Sequence, residues 1–306
     1  MSTARPTDER TARLMLVLLT LGWGVSWPAM RIALSEIPPF SMRVGTMVLG
    51  VLALGWLALV QRRRLVIGDL RAWMHLIGAG LFNIVAFSIF TPFAQLYAET
   101  SRVTILVYTM PIWASLMARV VLGERFTAIR SIALALCAAG MVVLIAPLAS
   151  AGIPGGILLA LGAAVSWAAG TVYLKWARIE ADPVAITFWQ VAVGLIVIGA
   201  CLPVFEGSLH LWPVHIAPLL GLAFAGLIGS GFAYFLWFDI VRRLPAMTAS
   251  LGVLSVPAVG VVSSVVLLGE RPTIPDIVGF AMIFMASAFV LLTPASGIRG
   301  RLRRVG

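Results

Sequence analysis

Few side chains in this chain could carry acid–base, nucleophilic or metal chemistry, and none of them cluster. The three histidines, His75, His210 and His215, fall near the ends of predicted segments, which argues against a metal centre. Cys137 and Cys201 lie inside apolar stretches. Such cysteines read as small buried hydrophobes, and neither a disulfide framework nor a zinc spacing is present. All twelve acidic residues, from Asp8 to Asp276, fall in predicted loops or at helix ends. An enzyme would need a buried nucleophile–base set or metal ligands, and the sequence offers neither. No catalytic, metal or cofactor role is expected.

The middle of the apolar stretches holds aromatic and weakly polar residues instead. Trp23, Trp27 and Pro28 lie in the first, Asn83 in the third, Tyr108 and Pro111 in the fourth. The second half adds Ser166 and Trp167, Trp189 and Gln190, Tyr234, then Ser255 and Pro257. Aromatic walls with a few placed amides and hydroxyls suit a pocket for a neutral small molecule. Two readings stand for each. Trp23 and Trp167 line a cavity or simply pack, whereas Trp56, Trp73, Trp176, Trp212 and Trp237, near segment ends, suit a headgroup belt. Asn83 and Gln190 need partners at depth, supplied by a solute or by an interhelical hydrogen bond. Arg43, about one turn inside its segment, receives a substrate carboxylate or snorkels to headgroups. Pro28, Pro111 and Pro257 free the carbonyls of Gly24, Val107 and Val253, making gating hinges or static kinks.

The elements that hold these residues follow from composition. Hydrophobic residues make up 61% of the 306 and charged residues 11%, against roughly 45–50% and 25% in soluble domains. So few charges cannot cover a water-soluble surface. A spanning helix needs about 20 apolar residues, and ten fit, near 14–33, 40–60, 73–93, 102–122, 130–147, 155–175, 184–204, 215–239, 246–268 and 275–293. Pro38-Pro39, Arg62–Arg64, Gly152–Gly156, Asp182-Pro183, Pro213, Pro245 and Pro272 supply the breaks. The first apolar run lacks a convincing cleavage site and reads as a retained span. With the N-terminus inside, 17 of the 22 Lys and Arg residues fall on cytoplasmic segments. That bias places both termini in the cytoplasm, facing anionic lipid headgroups. Basic loops scattered over one membrane face do not suit nucleic acid.

The chain also repeats. PIWASLMARVVLGERFT from Pro111 and PAVGVVSSVVLLGERPT from Pro257 share seven of 17 positions at an offset of 146. Trp23 and Trp167 correspond at an offset of 144, as do Arg31 and Lys175. Residues 1–150 and 151–306, the latter with a basic C-terminal tail, form two five-helix repeats. Five is odd, so the second copy enters the membrane from the opposite side. Inverted repeats are a transporter signature, with a site at their interface. The LGER segments read as structural, Gly123 and Gly269 ending helices. The ladders Gly162/Ser166/Gly170 and Gly221/Ala225/Gly229 suit close helix packing. The fifth and tenth spans carry almost no polar groups at depth and are assigned to scaffold or to contacts in a homodimer.

The WGVSWPAMRIAL stretch at 23–34, the Pro-containing helix ending in LGER and Thr, and its recurrence five spans later resemble the drug/metabolite transporter superfamily. Within it, the chain is similar to EamA-type ten-span exporters, and among these to the aromatic amino-acid exporter branch. The resemblance implies a carrier in the bacterial inner membrane that moves amino acids or related metabolites outward. Phe126 departs from the pattern where the second copy has Pro272. The expected protein is an all-α polytopic carrier of neutral amino acids or hydrophobic metabolites. A sugar-phosphate carrier of the same fold would want deep cations, and only Arg31, Arg43 and Lys175 come close. A drug or cation antiporter would want a buried carboxylate.

Overall fold

The computed structural model describes residues 6–123, 128–147, 155–233, 236 and 255–292, and the described residues include no strand. Among the described residues ten helices follow one another: α1 (Pro6–Ala33), α2 (Pro39–Val60), α3 (Leu70–Tyr97), α4 (Thr100–Val121), α5 (Ala128–Ile145), α6 (Gly155–Ala177), α7 (Pro183–Phe205), α8 (Ile216–Phe232), α9 (Val256–Leu268) and α10 (Ile274–Leu292). Six of them, α1 to α4, α6 and α7, contain stretches long and apolar enough to cross a membrane. The apolar stretches of α5, α8, α9 and α10 are shorter.

Local chemistry sets the helix ends. Asp69 and Asp182 accept from Ala72 N and Val184 N, each at 2.8 Å, and so cap α3 and α7. Pro39 and Pro183 open α2 and α7, where a missing N–H costs nothing. Gly269 closes α9 in the left-handed region, φ 69°, a conformation glycine adopts without steric cost. Every described acidic residue with a described side chain lies at a helix end or in a loop.

The backbone recurs at offsets of 144 to 147. Asp69 and His215 are the N-caps of α3 and α8; Arg62 and Gly207, after α2 and α7, share positive φ (52° and 78°). Gly123 and Gly269 share φ 65° and 69°. Thr109 (φ −74°, ψ −7°) and Ser255 (φ −78°, ψ −13°) each precede a helix carrying Pro in its first turn. A widened π-type turn runs through Leu81–Ala86 of α3 and Phe224–Phe232 of α8. Such turns inside a helix are rare and frequent at functional sites.

Packing joins one half of the chain to the other. α1 lies against α8 and α9, α6 against α3 and α4, and α2 against α7 and α8, while α5 pairs with α10. The α2–α7 pair is antiparallel: Glu206, after α7, reaches Phe40, whereas Arg63, after α2, pairs with Asp182 at 2.9 Å. α5 and α10 are antiparallel as well. Gly140 meets Met282 and Ile283, and Leu144 meets Gly279. The small-residue ladders sit at close approaches as expected. Gly162 and Gly170 face Phe90 and Asn83, and Gly221 and Gly229 face Ala29 and Ser26. With no hydrophobic drive between helices in lipid, such approaches supply dispersion contacts instead.

Candidate functional site

The polar centre of the bundle lies where α3, α6 and α7 meet. Asn83 sits in the widened turn of α3 and is 6% exposed; Gln190 of α7 is 4% exposed. Asn83 Nδ2 donates to Gln190 Oε1 at 3.4 Å, a long and weak bond. Asn83 Oδ1 is turned onto the backbone of Gly170 and has no hydrogen-bond partner among the described residues. A buried acceptor left unpaired costs about 1–3 kcal/mol. Gly170 makes the approach possible, since a Cβ there would lie 2.9 Å from Asn83 N.

One turn along α3, Phe87 meets Trp167 of α6 edge-on, with centroids 4.9 Å apart. The Trp167 Nε1–H makes no hydrogen bond among the described residues. Its counterpart Trp23 donates to Gly229 O at 3.0 Å. The two tryptophans are equivalent in sequence and not in bonding. The α3–α6–α7 locus thus joins an aromatic face, an unpaired amide oxygen and an unpaired N–H, with no charged side chain in it.

A second locus joins α1, α3 and α4. Trp27 meets Tyr108 edge-on at 6.5 Å, and the Trp27 carbonyl accepts from Gln95 Nε2 at 3.0 Å. Gln95 is fully buried, and its Oε1 has no hydrogen-bond partner among the described residues. It carries no sequence motif, and it falls two residues past the span expected at 73–93.

The remaining expected site residues are distributed elsewhere. Ser166 donates to its own helix, at Ala163 O, 2.9 Å. Trp189 does not line the centre. Its Nε1 donates to Leu65 O at 2.8 Å, and its ring packs on Trp73 and Phe188, pinning the α2–α3 loop. Trp189 is turned to the α2–α3 loop, whereas Gln190, one residue on, meets Asn83. Arg43 donates through Nε to Ser88 O at 2.9 Å and through Nη2 to Thr91 Oγ1. Tyr234 lies outside the described residues. Trp56, Trp176 and Trp212 are exposed, as a headgroup belt requires.

The prolines act differently from one another. Pro28 stays within a continuous α1. The Gly24 carbonyl it frees faces α9, 3.7 Å from where a Cβ on Gly260 would sit. Pro111 does more than bend α4. The helix breaks at Tyr108–Thr109 and restarts at Met110, with Pro111 in the new first turn. The Thr109 hydroxyl donates to Leu106 O at 2.6 Å and accepts from Trp113 Nε1 at 3.1 Å. Pro257 takes the same first-turn position in α9.

Apolar helices with polar groups at their ends and a neutral, partly unpaired centre define a multi-pass membrane protein. The sequence profile of the EamA-like transporter family matches residues 10–146 and 154–292. The chain belongs to that family and is a membrane transporter of the drug/metabolite type. It is 24% identical over 271 residues to YoaV of Bacillus subtilis (strain 168), covering 88% of this chain and 92% of that one. To YvbV of the same organism it is 28% identical over 293 residues, covering 92% and 91%. Both are named as uncharacterized transporters. A protein of known crystal structure superposes with a TM-score of 0.64 at 25% identity, covering 92% of this chain and 96% of the other.

Proposed function

We propose that this transporter is an alternating-access carrier of neutral, amino-acid-like or similarly hydrophobic small molecules, moved outward across a bacterial inner membrane. The observation that carries the reading is the unpaired Asn83 Oδ1 beside Gln190, Trp167 and Phe87. A solute with a neutral polar group would satisfy the acceptor and lay its apolar part on the rings. The locus holds no carboxylate, so a cation would find no counter-ion. The guanidinium nearest in α2, that of Arg43, already bonds Ser88 and Thr91, which disfavours a sugar phosphate.

Two inverted five-helix repeats, 1–150 and 151–306, would supply the alternation. The recurring caps and first-turn prolines, the antiparallel α2–α7 and α5–α10 pairs, and the gap between the profile's two matches at 147–153 support that duplication. α5 and α10 serve as scaffold. The test is Asn83→Leu, which keeps the volume and removes the amide. Losing one hydrogen bond to solute should raise KM about tenfold in a protein that still elutes as one folded species. An unchanged KM would contradict the assignment.

A further inference from the structure

We infer that Arg43 is a positioning residue that holds the Pro92 turn of α3, and through it the Phe87–Trp167 pair, and does not anchor a substrate carboxylate. The link to transport rests on the site proposed above. Pro92 lies inside α3 and has no N–H, so the carbonyl four residues back, on Ser88, loses its helical partner. Arg43 Nε donates to that same carbonyl at 2.9 Å. Its Nη2 donates to the hydroxyl of Thr91, which in turn donates to Phe87 O at 2.8 Å. Ser88 and Thr91 are three residues apart and share a face of α3, so one planar guanidinium reaches both.

The chain of bonds ends on Phe87, whose ring lies 4.9 Å from Trp167. No carboxylate pairs with Arg43 among the described residues. The groove beside it is apolar apart from Ser88, and Phe40 packs edge-on to Phe93 there and flat on Phe205. An intramembrane arginine is costly and retained for a task. Here the task is to supply the donor that Pro92 removes. Lysine would bring a charge without the fork that spans the two acceptors.

Pro92→Ala returns an N–H to the helix, so it should make Arg43 dispensable. The experiment compares wild type, Arg43→Met, Pro92→Ala and the double variant. Arg43→Met should lower flux about tenfold, the loss expected of bonds to a charged group. A neutral amino acid and its carboxylate-free amino-alcohol analogue should be affected equally. The double variant should recover at least half of the lost flux. Thermal unfolding in detergent should show the same pattern, a lower Tm for Arg43→Met restored in the double variant. That second readout needs no solute, so it stands even if wild type fails to move the solutes and the proposed function falls. Selective loss of the carboxylate-bearing solute, a normal Arg43→Met, or a double variant as impaired as the single in both readouts would overturn the inference.

Discussion

Glu206, just past the end of α7, caps Ser41 in the first turn of α2: one carboxylate oxygen accepts from both the Ser41 N–H and its hydroxyl, each at 2.8 Å. Its other oxygen accepts from Phe40 N at 2.6 Å. Glu270, after α9, does the same for α4 through Thr100 N and Ser101 N, at 2.6 and 2.8 Å. Neither helix carries its own side-chain cap. The first-turn N–H groups and the positive end of the helix dipole are met by an anion from the other half of the chain.

These end contacts should differ in worth. Glu206→Ala should cost about 1–2 kcal/mol, the value of a lost cap. Asp276 is 2% exposed and takes both oxygens of a bidentate pair with Arg102, at 2.6 and 3.0 Å. Asp276→Asn should cost about 2–3 kcal/mol, below the range for breaking an isolated buried pair because Glu99 stays 3.6 Å from Arg102. The Arg63–Asp182 pair is 25% and 22% exposed, so Arg63→Gln should cost less than about 1 kcal/mol. Unfolding in detergent checks the order, and equal losses in all three would contradict it.

Gly24 and Gly170 are among the glycines that hold helices at closer range than any side chain allows. A Cβ at Gly24 would lie 2.5 Å from Val259 Cγ1 and 3.1 Å from Gly260 N; at Gly170 it would strike the Asn83 amide. Gly24→Ala and Gly170→Ala should each lower stability by about 1–3 kcal/mol through overpacking, with Gly170→Ala also raising KM. Gly55, where the nearest atom is Phe188 Cε2 at 3.5 Å, is the control. Gly55→Ala should be neutral or slightly stabilising, since alanine favours a helix interior over glycine.

Pro111 and Pro257 occupy matching first turns, entered through Thr109 and Ser255 in matching backbone conformation. With the repeats flexing at these two first turns, Pro111→Ala and Pro257→Ala should slow transport more than they lower Tm. Normal flux in both variants would remove the hinge from the account.

The sequence carried the helices well and their cross-chain partners poorly. Pro38-Pro39 and Asp182-Pro183 put the starts of α2 and α7 within a residue of their places. α3 was expected near 73–93 and runs Leu70–Tyr97. Proline normally stops a helix, but a distant arginine meets the carbonyl Pro92 frees, and nothing in the local sequence states that. The α2–α3 loop folds back to accept the Trp189 N–H, a contact that nothing in the local sequence states. Asn83 and Gln190 were legible as amides needing partners, yet their bond to each other spans 107 residues. Gln95 lies past the end expected for its span, and an isolated phenylalanine such as Phe87 in an apolar helix has no signature. The Arg43 side chain could be placed near the end of its span, whereas its acceptors belong to another helix.

With no carboxylate among the described residues of the α3–α6–α7 locus to carry a proton, the most direct test of a neutral, uncoupled carrier is flux from proteoliposomes loaded with aromatic, aliphatic and hydroxyl amino acids, a sugar phosphate and a lipophilic cation, with and without a pH gradient. The account predicts flux of one or more of the neutral amino acids at a rate the gradient does not change. Flux confined to the sugar phosphate or the cation, or flux that vanishes without the gradient, would contradict it.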